Sequence, residues 1–400
     1  MRSSASFSDF LAKVCLAGLL CLTAGSLAHA GWDAAVSTPS RSRVAVLPII
    51  NLSGTAAPLK EIRTTLLAEA GKRGIKVLGE DELEQFMARH RLRHTGGLDE
   101  ATAQAFHNEA GVENILVTSL QLYDPTYPPK ISLDARLLSS GAVPKIIWTD
   151  AVSMAGDDAP GLFGTGLIEN PALLTAAAVR RLADSLASGM TDGGKPVNQE
   201  RVAVRFRPRL SFHSSDLATG KTTRIAVVPF SNRSQRSYAG ELLALQFVRE
   251  LARGGAVTVI EPGVVRQKFL AFRIIMDEGL SLANAGVLFE VLDADLIVSG
   301  DVMEYDDYEG SMGTPRVAFS AWMFDRRNRR VVWASESHNS GDDGLHLFDI
   351  GKQRTAQILA RNMVRGVVEQ MLLPAATGAA ASTPAPSDRE GDGVIHNEQN

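Results

Sequence analysis

The chain has 400 residues, 45 acidic against 41 basic side chains and a net charge of −4, with both signs spread throughout. That balance excludes bulk electrostatic binding to nucleic acid or to an anionic membrane as its main activity. At ~100–200 residues per domain, the length predicts about two domains, each large enough to bury a core without covalent staples.

The first thirty residues read as a leader. Arg2 and Lys13 precede the apolar stretch Val14–Leu22, and Ala28-His-Ala30 supplies small residues at the −3 and −1 positions of a cleavage site. A signal peptide over 1–30, cleaved after Ala30, is therefore expected, and with it a periplasmic mature protein. The apolar run falls short of the ~20 residues a membrane span needs. Cys15 follows Val14 and Cys21 follows Leu20, so neither follows the small residue that precedes a lipid-modified cysteine. These two are the only cysteines. Cleavage removes both, leaving no disulfide, no catalytic thiol and no cysteine metal ligand.

Self-similarity is the most informative feature of the rest. Arg43-Val-Ala-Val-Leu-Pro-Ile-Ile-Asn-Leu-Ser53 matches Arg224-Ile-Ala-Val-Val-Pro-Phe-Ser-Asn-Arg-Ser234. Glu113–Ser119 falls on Ala294–Gly300, Lys145–Trp148 on Arg330–Trp333, Gly156-Asp-Asp158 on Gly341-Asp-Asp343, and Arg180 on Arg361. The chain reads as two tandem copies of a βαβααβββα unit, of α/β class with a mixed sheet and helices packed against it.

In chain order, the first domain covers 43–188. Val44–Ile49 is a short buried strand ending in a Pro and an Asn/Ser turn. Ile62, Leu66, Leu67 and Ala70 mark a helix closed by Gly71 and Gly74. A second strand is expected at Ile75–Leu78, followed by two helical stretches. A third strand at Ile115–Leu122 leads to the hairpin Ile131–Leu138 with Ile146–Val152, and a helix at Leu173–Leu186 closes the domain. A linker over 189–223 contains Arg201-Val-Ala-Val-Arg-Phe-Arg-Pro-Arg209, whose alternation predicts an added edge strand.

The second domain, 224–373, repeats the pattern. Ile225–Phe230 is its first strand. Leu242, Leu245, Val248, Leu251 and Ala252 share one helical face, and Gly254-Gly255 stops the helix. Strands follow at Val257–Ile260 and Leu296–Met303. A hairpin of Val317–Phe324 with Arg330–Ser335 turns on Asp325–Asn328, and Thr355–Leu372 is the last helix. The tail, 374–400, lacks the composition for a core and is expected to be disordered.

These segments carry a resemblance. Val44–Gly54, its second copy Ile225–Ser234, the strand Asp293-Ala-Asp-Leu-Ile-Val-Ser-Gly-Asp301 and the hairpin Arg330-Val-Val-Trp333 resemble the superfamily of the CsgG periplasmic domain, the TolB N-terminal domain and LpoB. The resemblance covers most of Arg43–Ser188 and Arg224–Leu373. It implies a non-enzymatic part of envelope machinery that acts by contacting other proteins. Pro48, Pro229, Asn51 and Asn232 are its folding residues and carry no site. Tyr123–Lys130 and Tyr305–Pro315 are too short to hold a pair of membrane strands of about 9–11 residues, so the membrane pore of CsgG does not carry over.

Constellations that would carry chemistry are weak. His90 and His94 lie four apart and would share a helical face as metal ligands, but no third ligand is near, and Arg89, Arg91 and Arg93 make the segment a solvated basic face. Gly161-Leu-Phe-Gly-Thr-Gly166 lacks the ending of a phosphate-binding loop, and the second copy replaces it with Gly344–Phe348. Asp301, Glu304, Asp306, Asp307, Glu309, Asp342 and Asp343 do not match a calcium loop and read as loop solubilisation. No catalytic, cofactor-binding or metal-binding residue is assigned, and no cofactor is expected.

The function expected is that of a non-enzymatic periplasmic envelope protein acting in assembly, secretion or regulation. Its partners would be other envelope proteins, an outer-membrane or peptidoglycan-associated one among them, and it would hold to the outer membrane through them if at all; an oligomer fits the same expectation, nucleic acid does not. The alternative is a small-molecule binding protein with its ligand between two α/β lobes. A hydrolase using the loop carboxylates Asp342 and Asp343 is the weakest reading.

Overall fold

The computed structural model describes residues 43–158, 166–191, 202–217, 222–274, 279–308, 313–344 and 351–373. The expected leader, the tail, most of the Gly161–Gly166 loop and its counterpart beyond Gly344 lie outside them. From Arg43 onward the chain clusters as a single compact unit. The described part is mixed α/β, with eight helices and two mixed sheets of five and seven strands.

In the first half, β1 (Val44–Val46) and β2 (Ile50–Asn51) are followed by α1 (Leu59–Lys72), α2 (Glu80–Arg89) and α3 (Glu100–Ala110). Then come β3 (Asn114–Asp124), β4 (Lys130–Ser139), β5 (Ile146–Ala155) and α4 (Pro171–Thr191). The sheet runs β1-β3-β4-β5, with β2 also on β3. The second strand expected at Ile75–Leu78 shrinks to a single bridge from Val77 to Val44. The second half has β6 (Leu210–His213), β7 (Arg224–Val227), β8 (Ser231–Asn232), α5 (Ala239–Gly254), β9 (Thr258–Val259), α6 (Pro262–Phe272) and α7 (Leu282–Leu292). It ends with β10 (Leu296–Asp306), β11 (Arg316–Asp325), β12 (Arg330–Ser340) and α8 (Ala356–Leu372). This sheet runs β6-β12-β11-β10-β7-β9, with β8 on β10.

The two halves share backbone detail. Val44 lies opposite Asn114 and Ile225 opposite Leu296. The register slips at Gln121 in one sheet and at Met303 in the other. Asn51 Oδ1 accepts from the backbone and hydroxyl of Ser53, as Asn232 Oδ1 does from Ser234. These are side-chain turns that set the entry to the following helix. The pairing corrects one alignment by a residue. Glu113, which donates its N–H to the Arg43 carbonyl, stands where Asp295 stands on Arg224, rather than where Ala294 does.

The expected edge strand is displaced. Val204–Phe206 forms a 3-10 turn, and the strand that joins β12 is Leu210–His213. Pro208 has no N–H to give to a ladder, so pairing starts beyond it. Upstream, Phe206 is buried under α8. Its carbonyl would lie 2.5 Å from any Cβ added at Gly366.

Both sheets carry helices on both faces. Ile131, Leu133, Ala135 and Leu137 of β4 face α1 and α4, while Val117 and Leu138 meet α2 and α3. In the second half, Val298, Phe319, Ala321, Met323 and Trp333 meet α5 and α8, while Ile297 and Phe324 meet α6 and α7. Helix α5 is buried nearly all round and ends at Gly255 in the left-handed region (φ 60), as the Gly pair predicts. The layers therefore alternate: α1 with α4, the first sheet, α5 with α8, the second sheet, then α6 with α7. No helix among the described residues is long and apolar enough to cross a membrane.

Trp333 is 1% exposed at the centre of the second core. Trp333→Ala is expected to cost about 3–5 kcal/mol, read as a lower urea midpoint with an unchanged denaturant slope.

Candidate functional site

The face of β4 that turns away from α1 and α4 carries Lys130, Ser132, Asp134 and Arg136. Alternation of this kind ordinarily leaves the polar side in water. Here every one of the four is 2% exposed or less, because the second half packs on it through α5. A buried charge costs several kcal/mol unless it is paired, and the partners come from across the seam.

Arg249 of α5 reaches Asp134 at 3.3 Å and Glu250 at 3.1 Å, and also donates to Gln246. Arg136 stands 3.6 Å from Asp134 and 3.5 Å from Glu261, and donates to the Gly96 carbonyl at 2.8 Å. Gln246 donates to Gln121, and Arg365 of α8 reaches Glu250 at 3.3 Å. Around this network, Arg236 donates to the backbone carbonyls of Gln121 and Ser53. Lys130 donates to the Tyr308 carbonyl and lies over the Tyr308 ring. At the edge of the first sheet, Arg361 donates to the Ala151 carbonyl and Arg253 lies 3.7 Å from Asp150.

Burial pushes the Asp134 carboxyl up, against the pull of Arg249 and Arg136. For Glu250 burial acts the same way, but Arg249, Arg365 and Arg253 outweigh it and hold the carboxyl low. Burial, with Arg249 close by, pushes Arg361 down to about 10. The network is a fixed ionic contact between the halves, with acids and bases interleaved.

Beside it a cavity of about 470 Å³ opens between the halves. Ile50 and Leu52 line it from the first half, Val227, Leu245, Val248 and Phe269 from the second. It lies at the carboxyl end of β7, where ligands of α/β proteins commonly sit. Glu241, His94, Arg266 and Tyr238 are its charged or titratable members. Burial raises the Glu241 carboxyl and lowers the His94 imidazole, with Arg266 adding to the latter. A mostly apolar wall with a few convergent polar groups suits a small amphipathic molecule.

The residues singled out in the sequence scatter. Helix α2 ends at Arg89, and Arg91 takes a left-handed backbone (φ 51). His90 and His94 therefore share no helical face. His90 contacts Glu109 at 2.9 Å, whereas His94 lines the cavity. Among the described residues no group of three or more His, Cys, Asp or Glu is placed to hold a metal ion. The acidic residues serve local structure. Glu304 and Asp306 flank Arg316 at 2.7 and 3.7 Å, and Asp307 accepts from the Ala356 N–H at the start of α8. Asp343 accepts from Asn339 and Ser340 at the turn after β12. Sequence reasoning missed the seam. Its signal was Arg249 and Glu250, an adjacent charged pair inside the apolar run Leu242–Leu251 of α5.

No family model matches the chain, and no curated protein matches it. Among solved structures, the PelC dodecamer of Paraburkholderia phytofirmans is similar at 19% identity and a TM-score of 0.27, over 39% of this chain and 97% of its own. A lipoprotein of Neisseria meningitidis is similar at 18% identity and a TM-score of 0.26, over 36% of this chain and 99% of its own. The LpoB C-terminal domain of Salmonella enterica is similar at 12% identity and a TM-score of 0.25, over 32% of this chain and 87% of its own.

The seam predicts a specific pattern of stabilities. Asp134→Leu alone leaves two buried guanidiniums, Arg249 and Arg136, short of a carboxylate they share and is expected to cost about 3–5 kcal/mol. Asp134→Leu with Arg249→Met leaves Arg136 paired with Glu261 and Glu250 with Arg365, and should recover most of that loss in urea unfolding. A double variant as unstable as the two single losses added together would contradict the pairing.

Proposed function

We propose that this is an exported protein of the cell envelope that works by protein–protein contact, built from two copies of one α/β unit. The leader-like start and the twofold Pro/Asn/Ser motif support export and duplication. The matched strand registers and matched bulges support the duplication further. A role in assembly, secretion or regulation follows from the resemblance of the two openings to envelope domains.

The observation that carries the reading is a half-face of the second sheet that no element among the described residues covers. Helices α6 and α7 cover only its end near Ile297 and Phe324. Beyond them Met303 is 51%, Phe212 53% and Leu210 65% exposed. β6 is the outer strand of the same sheet, with no partner on its far edge among the described residues. An apolar patch rimmed by charge, on a sheet with a free edge, is a protein-contact surface. Met303→Glu with Phe212→Asp alters only exposed side chains and should change stability by no more than about 0.5 kcal/mol each. In capture from envelope extracts, the tagged wild-type protein should retain a partner that this variant loses. Equal retention by both would overturn the assignment of the surface.

A second reading is favoured by the cavity between the halves: a periplasmic protein that binds a small amphipathic molecule. Leu245→Trp should fill the space. Under this reading a fluorescent apolar probe, anilinonaphthalene sulfonate, binds the native wild-type protein and its emission drops in the variant. Native protein that leaves the probe dark argues against a ligand there.

A further inference from the structure

Alternating layers leave a chain with two unlike ends. At one end lies the outer side of α1 and α4, where Lys60, Thr64, Ala68, Arg180 and Arg181 are exposed. At the other lies the open half of the second sheet. Each end is one side of the seam that already exists inside the molecule, where α5 and α8 cover the corresponding half of the first sheet.

The correspondence holds residue by residue. Leu66 and Phe247 are the buried residues of α1 and α5 against their own sheets, so Ala68 takes the place on α1 that Arg249 takes on α5. Val179 and Ala360 are likewise buried, so Arg180 on α4 stands where Arg361 stands on α8. On the sheets, Asp134 pairs with Ala151 between β4 and β5, and Ser320 pairs with Glu336 between β11 and β12. Ser320 and Glu336 therefore hold the positions that Arg249 and Arg361 meet across the seam.

We infer that a second copy of this chain docks its α1–α4 layer on the open half of the second sheet, repeating between chains the contact made within one. The inference rests on the reading of that half-face as a protein-contact surface. Chemistry on the two sides agrees. The buried ion pair Arg249–Asp134 becomes Ala68 against Ser320, which strands no charge. Arg180, exposed and basic, comes to Glu336, exposed and acidic. Around this pair the rims carry both signs: Asp301 lies by Arg233 and Glu304 and Asp306 flank Arg316 on the sheet side, while Lys72 pairs with Glu69 on the helix side. Because the two surfaces differ, the contact is head-to-tail, and it closes into a ring or runs on as a filament.

Sedimentation velocity of the purified full chain tests this without any partner. The wild-type protein is expected to form species larger than one chain that grow with concentration. Arg180→Glu and Glu336→Arg should each weaken assembly roughly tenfold or more, since like charges then face each other. The two reversals combined in one chain restore opposite charges at every contact and should restore assembly, an outcome that misfolding cannot imitate. A wild-type chain that stays single at about 100 μM overturns the inference, as does a double variant no better than the single ones. If the single-chain protein still captures an envelope partner through Met303 and Phe212, the inference falls and the proposed function stands. If assembly follows the charge swap but no other envelope protein is captured, the inference stands alone.

Discussion

Between the two sheets lies a layer of paired charges that neither half could bury alone. Asp134 and Arg136 sit on a strand whose helices α1 and α4 lie on its other side, and Arg249 and Glu250 sit on a helix whose apolar residues serve the second sheet. Each would be solvated on an isolated half. Brought together, they exchange water for one another at 3.1–3.6 Å. Such a network adds little net stability compared with an apolar contact of the same shape, because desolvation offsets most of the Coulomb gain. Its effect is on geometry. Any relative sliding of the halves would strand buried charge, so one arrangement is selected.

That constraint explains the cavity and the open face together. Holding α5 against Asp134 and Arg136 places the carboxyl end of β7 opposite β2, and the space between them remains as the apolar cavity beside the network. The same packing spends the outer side of α5 and α8 on the first sheet. Among the described residues nothing equivalent covers the second sheet. Its outer half-face, lengthened by β6, stays exposed with Met303, Phe212 and Leu210 on it. The described fold thus carries one internal contact and two unlike ends.

Much of the fold was legible. The strand-Pro-Asn-Ser openings, the Gly pair after α5 and both hairpins come out where the pattern places them, because they depend on local backbone preferences and on apolar alternation. Three features were not. The second strand at Ile75–Leu78 is reduced to a bridge, since its pairing with β1 is limited to Val44, which donates to the Lys76 carbonyl and accepts from the Leu78 N–H. The edge strand moved past Pro208. The alignment of Glu113 slipped by a residue, for runs such as Ile-Leu-Val and Leu-Ile-Val look alike in any register, whereas in a sheet one step exchanges the two faces. The His90 and His94 pair failed for a related reason: four-residue spacing brings side chains together only if the helix continues, and Arg91 turns it off.

The sequence by itself determined that this chain is mixed α/β and where most strands and helices lie, because periodicity and turn chemistry act over neighbours. It did not determine which polar faces meet water. Asp134, Arg136, Arg249 and Glu250 lie up to 116 positions apart, and no local rule links them. Their partnership is a property of how the layers stack, as are the cavity lined by Glu241 and His94 and the half-face left open on the second sheet. Tertiary packing decided these because burial turns an ordinary surface charge into one that must find its opposite, and only the assembled fold says which charges are buried.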